Sequence, residues 1–172
     1  HKLAMRIIRQ DDMEKEQETN FLDEKNPALQ LDFIEKARQK AGINKNTLND
    51  EDALTLIGYA QNGLINESEL EGKIDALKSI APLMAKFAVF YLTYVSLLRE
   101  NNVIDYGEAI VKAINILREN KDQAQRWSNR FKWIFCDEYQ DTSPAQATLL
   151  QLLGQQANLF VVGDSILTPI KS

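Results

Sequence analysis

Apolar residues recur every three or four positions through the first three quarters of the chain, which is the spacing of amphipathic helices. The longest such pattern runs from residue 80 to residue 98. Its apolar positions are Ile80, Met84, Phe87, Tyr91, Tyr94 and Leu98. We predict a long helix here, with its aromatic side mostly in the core. The alternative is a platform on which single-stranded bases stack, and this would require exposed rings.

Other helices are predicted on both sides of this one. Three of them cover residues 2–10, 27–40 and 50–60. A fourth helical region is predicted to begin at a capping box formed by Ser68 and Glu71. A fifth helix is predicted to be capped by Asp105 and Glu108 and to end near Asn120. The side chains expected to face inward are Leu3, Ile7, Ile8, Leu31, Ile34, Ala37, Leu54, Ile57, Ile110, Ala113, Ile114 and Leu117. Gly42 is the predicted stop of the helix over 27–40. The charged stretch from Asp11 to Glu18 is expected to be solvated.

The last quarter of the chain changes to short apolar runs. Residues 133–136 are apolar without alternation, which is typical of a parallel strand buried on both faces. Ser143 is placed to cap a helix over 144–153, which Gly154 ends. A second apolar run follows at 158–162. A strand, a helix and a strand at this spacing predict a right-handed βαβ unit with two parallel strands.

Acidic residues follow both predicted strands. Asp137 and Glu138 come directly after the first strand, and Gly163 and Asp164 come after the second. Because parallel strands end at the same edge of a sheet, we expect Asp137 and Asp164 to emerge together. Ligands of open α/β sheets bind beyond the carboxyl ends of the strands, and a carboxylate there can hold the magnesium of a nucleotide. This edge is the candidate site.

The length, amino-acid composition and net charge of the chain limit its possible functions. With 172 residues, 44% of them hydrophobic, the chain is large enough to bury a core. Its one cysteine, Cys136, cannot form an internal disulfide and is expected to be a packed thiol. A net charge of −5 and a pI near 5.0 argue against a strongly basic nucleic-acid clamp but leave a local face open. The basic residues Arg126, Arg130 and Lys132 are either solvated surface or a phosphate contact. No stretch has the length of a membrane span or the layout of a signal peptide, so we expect a cytoplasmic protein.

One run of residues carries a family resemblance. Residues 134–142, IFCDEYQDT, resemble the Walker B motif of the UvrD, Rep and PcrA group of superfamily-one DNA helicases. The likeness continues at Ser143, Pro144 and Gln146. Residues 104–110 are similar to the Leu-Asp-Phe-Asp-Asp-Leu-Leu segment that precedes Walker B in this family, and residues 161–164 are similar to the start of its next motif. Residues 1–9 resemble the family's Thr-Phe-His motif, without its first two residues, and the helix behind it.

The resemblance implies a mainly α chain in two parts. Residues 1–130 would be a helical insertion subdomain with a short return segment to the core. Residues 131–172 would be a partial α/β piece of a RecA-like P-loop NTPase core. The cofactors implied are ATP and Mg²⁺, and the partner is DNA, both single-stranded and at duplex junctions. The activity implied is translocation in the 3'-to-5' direction with duplex unwinding.

The resemblance also implies roles for the candidate residues. Asp137 would hold magnesium through water, and Glu138 would orient or deprotonate the water that attacks the γ-phosphate. Gln140 and Asp141 resemble residues that link the nucleotide state to neighbouring motifs and to DNA. For Asp141 and Thr142, capping of the next helix is an equal alternative. Gly163 and Asp164 are grouped with the nucleotide-binding residues.

Two departures from the family pattern limit these expectations. The sequence contains no G-x-x-x-x-G-K-[ST] phosphate loop, so the chain alone is not expected to hydrolyse ATP, and we expect that loop upstream in the complete protein. Residues 165–168 replace the Gln-Ser-Ile-Tyr element of the family, so no γ-phosphate-sensing glutamine is assigned. The alternatives are a non-catalytic helical DNA- or protein-interaction module and, among helicases, a RecB- or AddA-like helicase-nuclease subunit. With only two core strands, we also expect an exposed apolar sheet face.

Overall fold

The computed structural model describes residues 2–22 and 27–163, and most of these residues lie in helices. The helices are α1 Lys2–Lys15, α2 Ala28–Ala41, α3 Asp50–Asn62, α4 Glu67–Ile80, α5 Pro82–Glu100, α6 Tyr106–Glu119, α7 Lys121–Ser128 and α8 Pro144–Leu153. The strands are β1 Asn20–Phe21, β2 Val103–Ile104, β3 Trp133–Cys136 and β4 Asn158–Val161. Short 3-10 turns at Tyr139–Asp141 and Gly154–Gln156 lie before and after α8. The predicted fold class, mainly α with a partial α/β piece, is confirmed.

The strands form two parallel pairs. β3 pairs with β4 along all four residues, from Trp133 with Asn158 to Cys136 with Val161, and α8 connects the two strands. The predicted βαβ unit is therefore confirmed. β1 pairs with β2 over two residues in each strand. This second pair escaped prediction because two residues are too few to show a periodic pattern.

Predicted capping residues fix the ends of three helices. The Asp105 carboxylate accepts the backbone N–H of Glu108 at 2.8 Å, as predicted for the start of α6. Ser143 caps α8 in a reciprocal capping box with Gln146. Gly42 ends α2 with a φ of 63°, a left-handed conformation that glycine adopts without steric cost.

The chain around the longest helix differs from prediction. Asn66, rather than Ser68, caps α4, because its side chain accepts a first-turn N–H at 3.0 Å and so starts the helix earlier. The long helix begins at Pro82, since proline suits the first turn of a helix and interrupts the one before it. Ile80 and Met84 are 80% and 56% exposed, so their predicted places in the core are wrong.

Two clusters of buried apolar side chains form the core. The first gathers α1, α6, α7 and α8, and the second gathers α2, α3 and α5. Most predicted inward positions are buried in them: Ile7, Ile8, Ile34, Ala37, Ile57, Ile110, Ala113, Ile114 and Leu117. Leu31 and Leu54 are exposed instead, because α2 and α3 turn Phe33 and Ala53 inward. The boundary between residues 130 and 131 falls within the first cluster and stays a prediction.

The aromatic side of α5 belongs to the second cluster. Phe90, Tyr91 and Tyr94 are buried there, and Phe87 packs against the cluster while partly buried. The predicted core role of these rings is confirmed. Among the described residues, no helix combines the length and the apolar character that crossing a membrane requires.

The charged stretch from Asp11 to Glu18 is solvated over residues 13–18, as predicted, but not at its first two residues. The helix continues to Lys15, and Asp11 and Asp12 are buried. Asp11 accepts the Nε2 of Gln123 at 3.0 Å and pairs with the Nζ of Lys15 at 2.9 Å. Asp12 accepts the backbone N–H and the hydroxyl of Thr19 at 2.9 and 3.0 Å. These partners compensate for the loss of water, which is why two carboxylates can lie in the interior.

One face of the β3–β4 pair is open to solvent. Trp133, Phe135 and Phe160 are exposed there, and the Phe160 ring centroid lies 5.5 Å from that of Trp133 and 5.6 Å from that of Phe135. The prediction that β3 is buried on both faces is therefore wrong for this chain, because none of the described helices covers this side. The expected exposure of an apolar sheet face is confirmed.

A buried polar network joins the two clusters at the start of α6. The Asp105 carboxylate accepts the hydroxyl of Tyr94 on α5 at 2.8 Å and the Nε2 of Gln61 on α3 at 2.9 and 3.0 Å. Tyr94 in turn accepts the Nε2 of Gln30 on α2 at 3.0 Å. A Cβ on Gly107 would overlap the Gln61 amide, so a larger residue there would displace Gln61 from its bonds to Asp105. Helices of the second cluster thereby bind directly to the first turn of α6.

Candidate functional site

The carboxyl end of β3 carries the candidate site. Hydrogen bonding between the two neighbouring segments continues past the ends of β3 and β4. The N–H of Val162 donates to the Cys136 carbonyl at 2.8 Å, and the N–H of Tyr139 donates to the Val162 carbonyl at 2.9 Å. Asp137 and Glu138 lie between these two bonds. Both carboxylates therefore lie at the rim of the sheet, and both are exposed.

The backbone turns sharply at Glu138. Its φ and ψ are 49° and 47°, a left-handed conformation that costs an ordinary L-residue roughly 1 to 2 kcal/mol. The N–H of Glu138 donates to the Asp137 carboxylate at 3.0 Å, and its carbonyl accepts the N–H of Asp141 at 2.9 Å. Strain of this kind is concentrated at functional sites, where the surrounding contacts maintain it. The turn sends the chain away from the sheet and leaves the two carboxylates side by side.

Gln140 connects Glu138 to the end of the second strand. Its Nε2 donates to the Glu138 carboxylate. On its other side the backbone of Gly163 approaches so closely that a Cβ there would overlap the Gln140 side chain and lie 3.0 Å from the Tyr139 nitrogen. A side chain at position 163 would therefore displace the Gln140 side chain and push the Tyr139 backbone by a few tenths of an ångström. The structure brings Glu138, Gln140 and Gly163 together, as their predicted grouping in one site requires.

The segment after Gln140 leads into α8. Asp141 closes the 3-10 turn and is exposed, and the Thr142 hydroxyl lies 3.8 Å from the Cys136 thiol. Ser143, one residue later, caps α8. The alternative in which Asp141 and Thr142 serve as the helix cap is therefore wrong. Cys136 is half-buried, consistent with its expected role as a packed thiol.

The donor set at the rim fits a hydrated magnesium ion. Mg²⁺ keeps several waters and takes one or two carboxylates together with substrate phosphates. Asp137 and Glu138 supply two exposed carboxylates, with Asp137 directly at the strand end. In the part of the chain that the structure describes, no group of three or more histidine, cysteine or acidic side chains could enclose a metal ion.

Some features of this site could not be predicted from the sequence. The left-handed turn at Glu138 has no sequence signal, because glycine or asparagine would be the usual marker of such a backbone. The contact between Gln140 and Gly163 depends on the strand register, although a glycine that directly follows an apolar run is a signal of close backbone approach. Asp164 and His1 lie outside the described residues, so their predicted places stay predictions.

Comparison with known proteins agrees with the motif. Residues 1–165 match the family model described as the UvrD/REP helicase N-terminal domain. The chain belongs to the UvrD/Rep helicase family. Within this family it is similar to the ATP-dependent DNA helicase Rep of Salmonella typhimurium, with 30% identity over 156 residues, which is 79% of this chain and 23% of Rep. It is also similar to the ATP-dependent DNA helicase PcrA of Staphylococcus aureus, with 30% identity over 169 residues, which is 96% of this chain and 22% of PcrA.

This member of the UvrD/Rep family thus spans less than a quarter of the length of these curated relatives. The suspected resemblance to the UvrD, Rep and PcrA group is confirmed. The family match also includes residues 11–80, where no motif had been recognised from the sequence. That segment contains α2, α3 and α4.

Proposed function

We propose that this chain is part of an ATP-dependent DNA helicase that couples ATP hydrolysis to movement along single-stranded DNA and to duplex unwinding. The observation that carries the proposal is the rim of the β3–β4 pair. Two adjacent carboxylates emerge there from a parallel strand, at a left-handed turn where Gln140 donates a hydrogen bond to Glu138. The family match and the activity in the names of Rep and PcrA support the same function.

The proposed roles follow from the placement of each side chain. Asp137, at the strand end, holds the hydrated magnesium of the bound nucleotide. Bound there, magnesium would neutralise charge on the phosphates. Glu138 accepts a proton from, or orients, the water that attacks the γ-phosphate, because its exposed carboxylate lies at the same rim. Gln140 fixes the Glu138 carboxylate by donating a hydrogen bond to it.

The remaining site residues are proposed to relay the nucleotide state. Asp141 is exposed one residue after Gln140, where it can contact a neighbouring motif or DNA. Gly163 and Asp164 begin the next segment of the nucleotide site, beside Gln140. We also propose that residues 1–130 act as the helical insertion subdomain with its return segment, and that residues 131–172 belong to the ATPase core. The phosphate loop is supplied by another part of the complete protein.

Unwinding by the complete protein tests this function. We expect single-stranded DNA to stimulate ATP hydrolysis, and we expect a duplex with a 3' single-stranded tail to be unwound faster than one with a 5' tail. Strand separation is measured with a fluorophore and quencher on opposite strands. Hydrolysis without unwinding would contradict the helicase activity. Failure to bind or hydrolyse ATP would instead favour the non-catalytic interaction module. Strand cleavage that accompanies unwinding would point to a helicase-nuclease subunit.

A further inference from the structure

Four exposed basic residues without an acidic partner lie along α1 and just after α7. Most of the other basic side chains form ion pairs, as Arg126 does with Glu14. Within the described residues, no carboxylate pairs with Lys2, Arg6, Arg9 or Arg130, and all four are exposed. We call these four residues the basic ridge.

The geometry of α1 places the basic ridge along one line. Lys2, Arg6 and Gln10 are spaced by four residues, so they share one face of the helix at intervals of roughly 6 Å. Arg130 extends the line, because its Nη2 donates to the Oε1 of Gln10 at 2.9 Å. Arg9, three residues after Arg6, lies on the adjacent side of the same helix surface.

Two of the guanidinium groups are held in place by aromatic rings. The Arg130 guanidinium lies 4.0 Å from the ring centroid of the buried Trp127, and that of Arg9 lies 5.9 Å from the ring of Phe21. Stacking of this kind restricts the side chain before it meets a ligand, which lowers the entropic cost of binding. Stacking uses the face of each guanidinium, and only one edge N–H of Arg130, on Nη2, is taken up by the bond to Gln10.

The charges around the ridge keep it positive. Between Lys2 and Gln10 the chain contains no acidic residue. The next exposed acid on this face is Glu14, which two hydrogen bonds from Arg126, at 2.9 and 3.0 Å, neutralise. A linear positive surface on a chain with a net charge of −5 is a local feature, and local charge rather than net charge decides where a polyanion binds.

We propose that the basic ridge binds the phosphate backbone of DNA. This inference rests on the proposed helicase function and adds a DNA-contacting surface to it. Arginine guanidinium groups match phosphate oxygens geometrically, and a row of such charges follows a phosphate chain. Because phosphate contacts carry no sequence information, the ridge binds DNA of any sequence. Arg130, which the sequence left open between solvated surface and phosphate contact, is assigned to the phosphate contact.

A pair of matched variants of this chain tests the ridge. The ridge variant is Lys2→Gln, Arg6→Gln and Arg130→Gln. The control variant is Lys40→Gln, Arg118→Gln and Lys121→Gln, which removes three other exposed basic residues and gives the same net charge. Binding to fluorescein-labelled 30-mer oligo(dT) and to a 30-base-pair duplex is measured by fluorescence anisotropy. The salt concentration is varied from about 50 to about 200 mM, because phosphate contacts weaken strongly over this range. Circular dichroism establishes that both variants are folded.

We expect the ridge variant to bind oligo(dT) roughly 100-fold more weakly at about 0.1 M salt. The slope of log K against log salt concentration should become shallower by about 2, because three single-strand phosphate contacts are lost. The control variant should bind within about twofold of the unmodified chain, since its charges lie outside the contact. Tighter binding of oligo(dT) than of the duplex assigns the ridge to single strands, and the reverse assigns it to the duplex.

Three results would overturn the proposal. The first is no measurable binding by the unmodified chain at about 50 mM salt, where phosphate contacts are strongest. The second is an equal loss of affinity in both variants. The third is displacement of DNA by polyglutamate of matched charge. None of these depends on ATP turnover. If the ridge fails while the complete protein unwinds DNA, only the ridge is wrong. If the ridge binds DNA while the complete protein does not unwind it, only the helicase function is wrong.

Discussion

Replacing Glu138 with glutamine in the complete protein lowers the kcat for ATP hydrolysis by roughly 100- to 10,000-fold, which is the usual contribution of a general base. Glutamine has the size of glutamate and can still accept the hydrogen bond from Gln140, so the turn at the rim is retained. It cannot accept a proton from water. Nucleotide affinity should therefore stay within about twofold, because the substitution removes an interaction made mainly in the transition state.

The kcat and the dissociation constant of a fluorescent ATP analogue are measured on the same preparations. Glu71→Gln, an exposed glutamate on α4, provides the matched control and should leave both quantities unchanged. A kcat within tenfold of the unmodified protein would remove Glu138 from the proposed reaction. A parallel loss of nucleotide affinity would show instead that Glu138 acts in binding.

At pH 8, replacing Glu108 with glutamine raises the free energy of unfolding of this chain by roughly 2 to 3 kcal/mol. Burial of Glu108, together with the neighbouring Asp105 carboxylate, raises its pKa to about 7 from an ordinary value of 4.5. Arg99 and Lys112 lower this pKa and Glu67 raises it, each by a smaller effect. The folded state therefore holds the Glu108 proton more tightly than the unfolded state does.

The sign of the pH dependence follows from this difference. Below about pH 4.5 the Glu108 carboxyl is protonated in both states, and its protonation gives the folded state its full stability. That stability is lost as the pH rises through about 7, where the buried carboxyl must ionise. Glutamine stays neutral, so the variant and the unmodified chain should have similar stability near pH 4.5 and diverge towards pH 8.

Urea unfolding at a series of pH values measures this difference. Glu119→Gln, which removes a carboxylate from the exposed end of the same helix, is the matched control. A Glu108→Gln difference that is the same at both ends of the pH range would contradict the buried, protonated carboxyl. Destabilisation at pH 8 would show that ionised Glu108 is favourably paired in the folded chain.

The parts of the fold that the sequence predicted are those with local signals. The βαβ unit follows from two apolar runs and the cap at Ser143, and α6 follows from the Asp105 cap and its apolar spacing. Errors arose where two local signals competed. Asn66 started α4 ahead of Ser68, and Pro82 divided a continuous apolar pattern into α4 and α5. At α4 the earlier of two possible caps started the helix, and at α5 a proline outweighed the periodic pattern.

Features that depend on long-range contacts could not be read from the sequence. Burial of Asp11 and Asp12 requires Gln123 and Thr19, and the first of these lies 112 residues along the chain from Asp11. The same is true at the candidate site. The motif predicted which side chains gather at the rim, whereas the left-handed turn at Glu138 emerged only from the folded backbone.

The most direct test of this account is a crystal structure of the complete protein with Mg²⁺ and a non-hydrolysable ATP analogue. The account predicts that the Asp137 carboxylate contacts a water of the magnesium shell. It also predicts that the Glu138 carboxylate lies within hydrogen-bond reach, about 2.6 to 3.2 Å, of a water in line with the γ-phosphate. Asp137 and Glu138 side chains that point away from the bound nucleotide would contradict it.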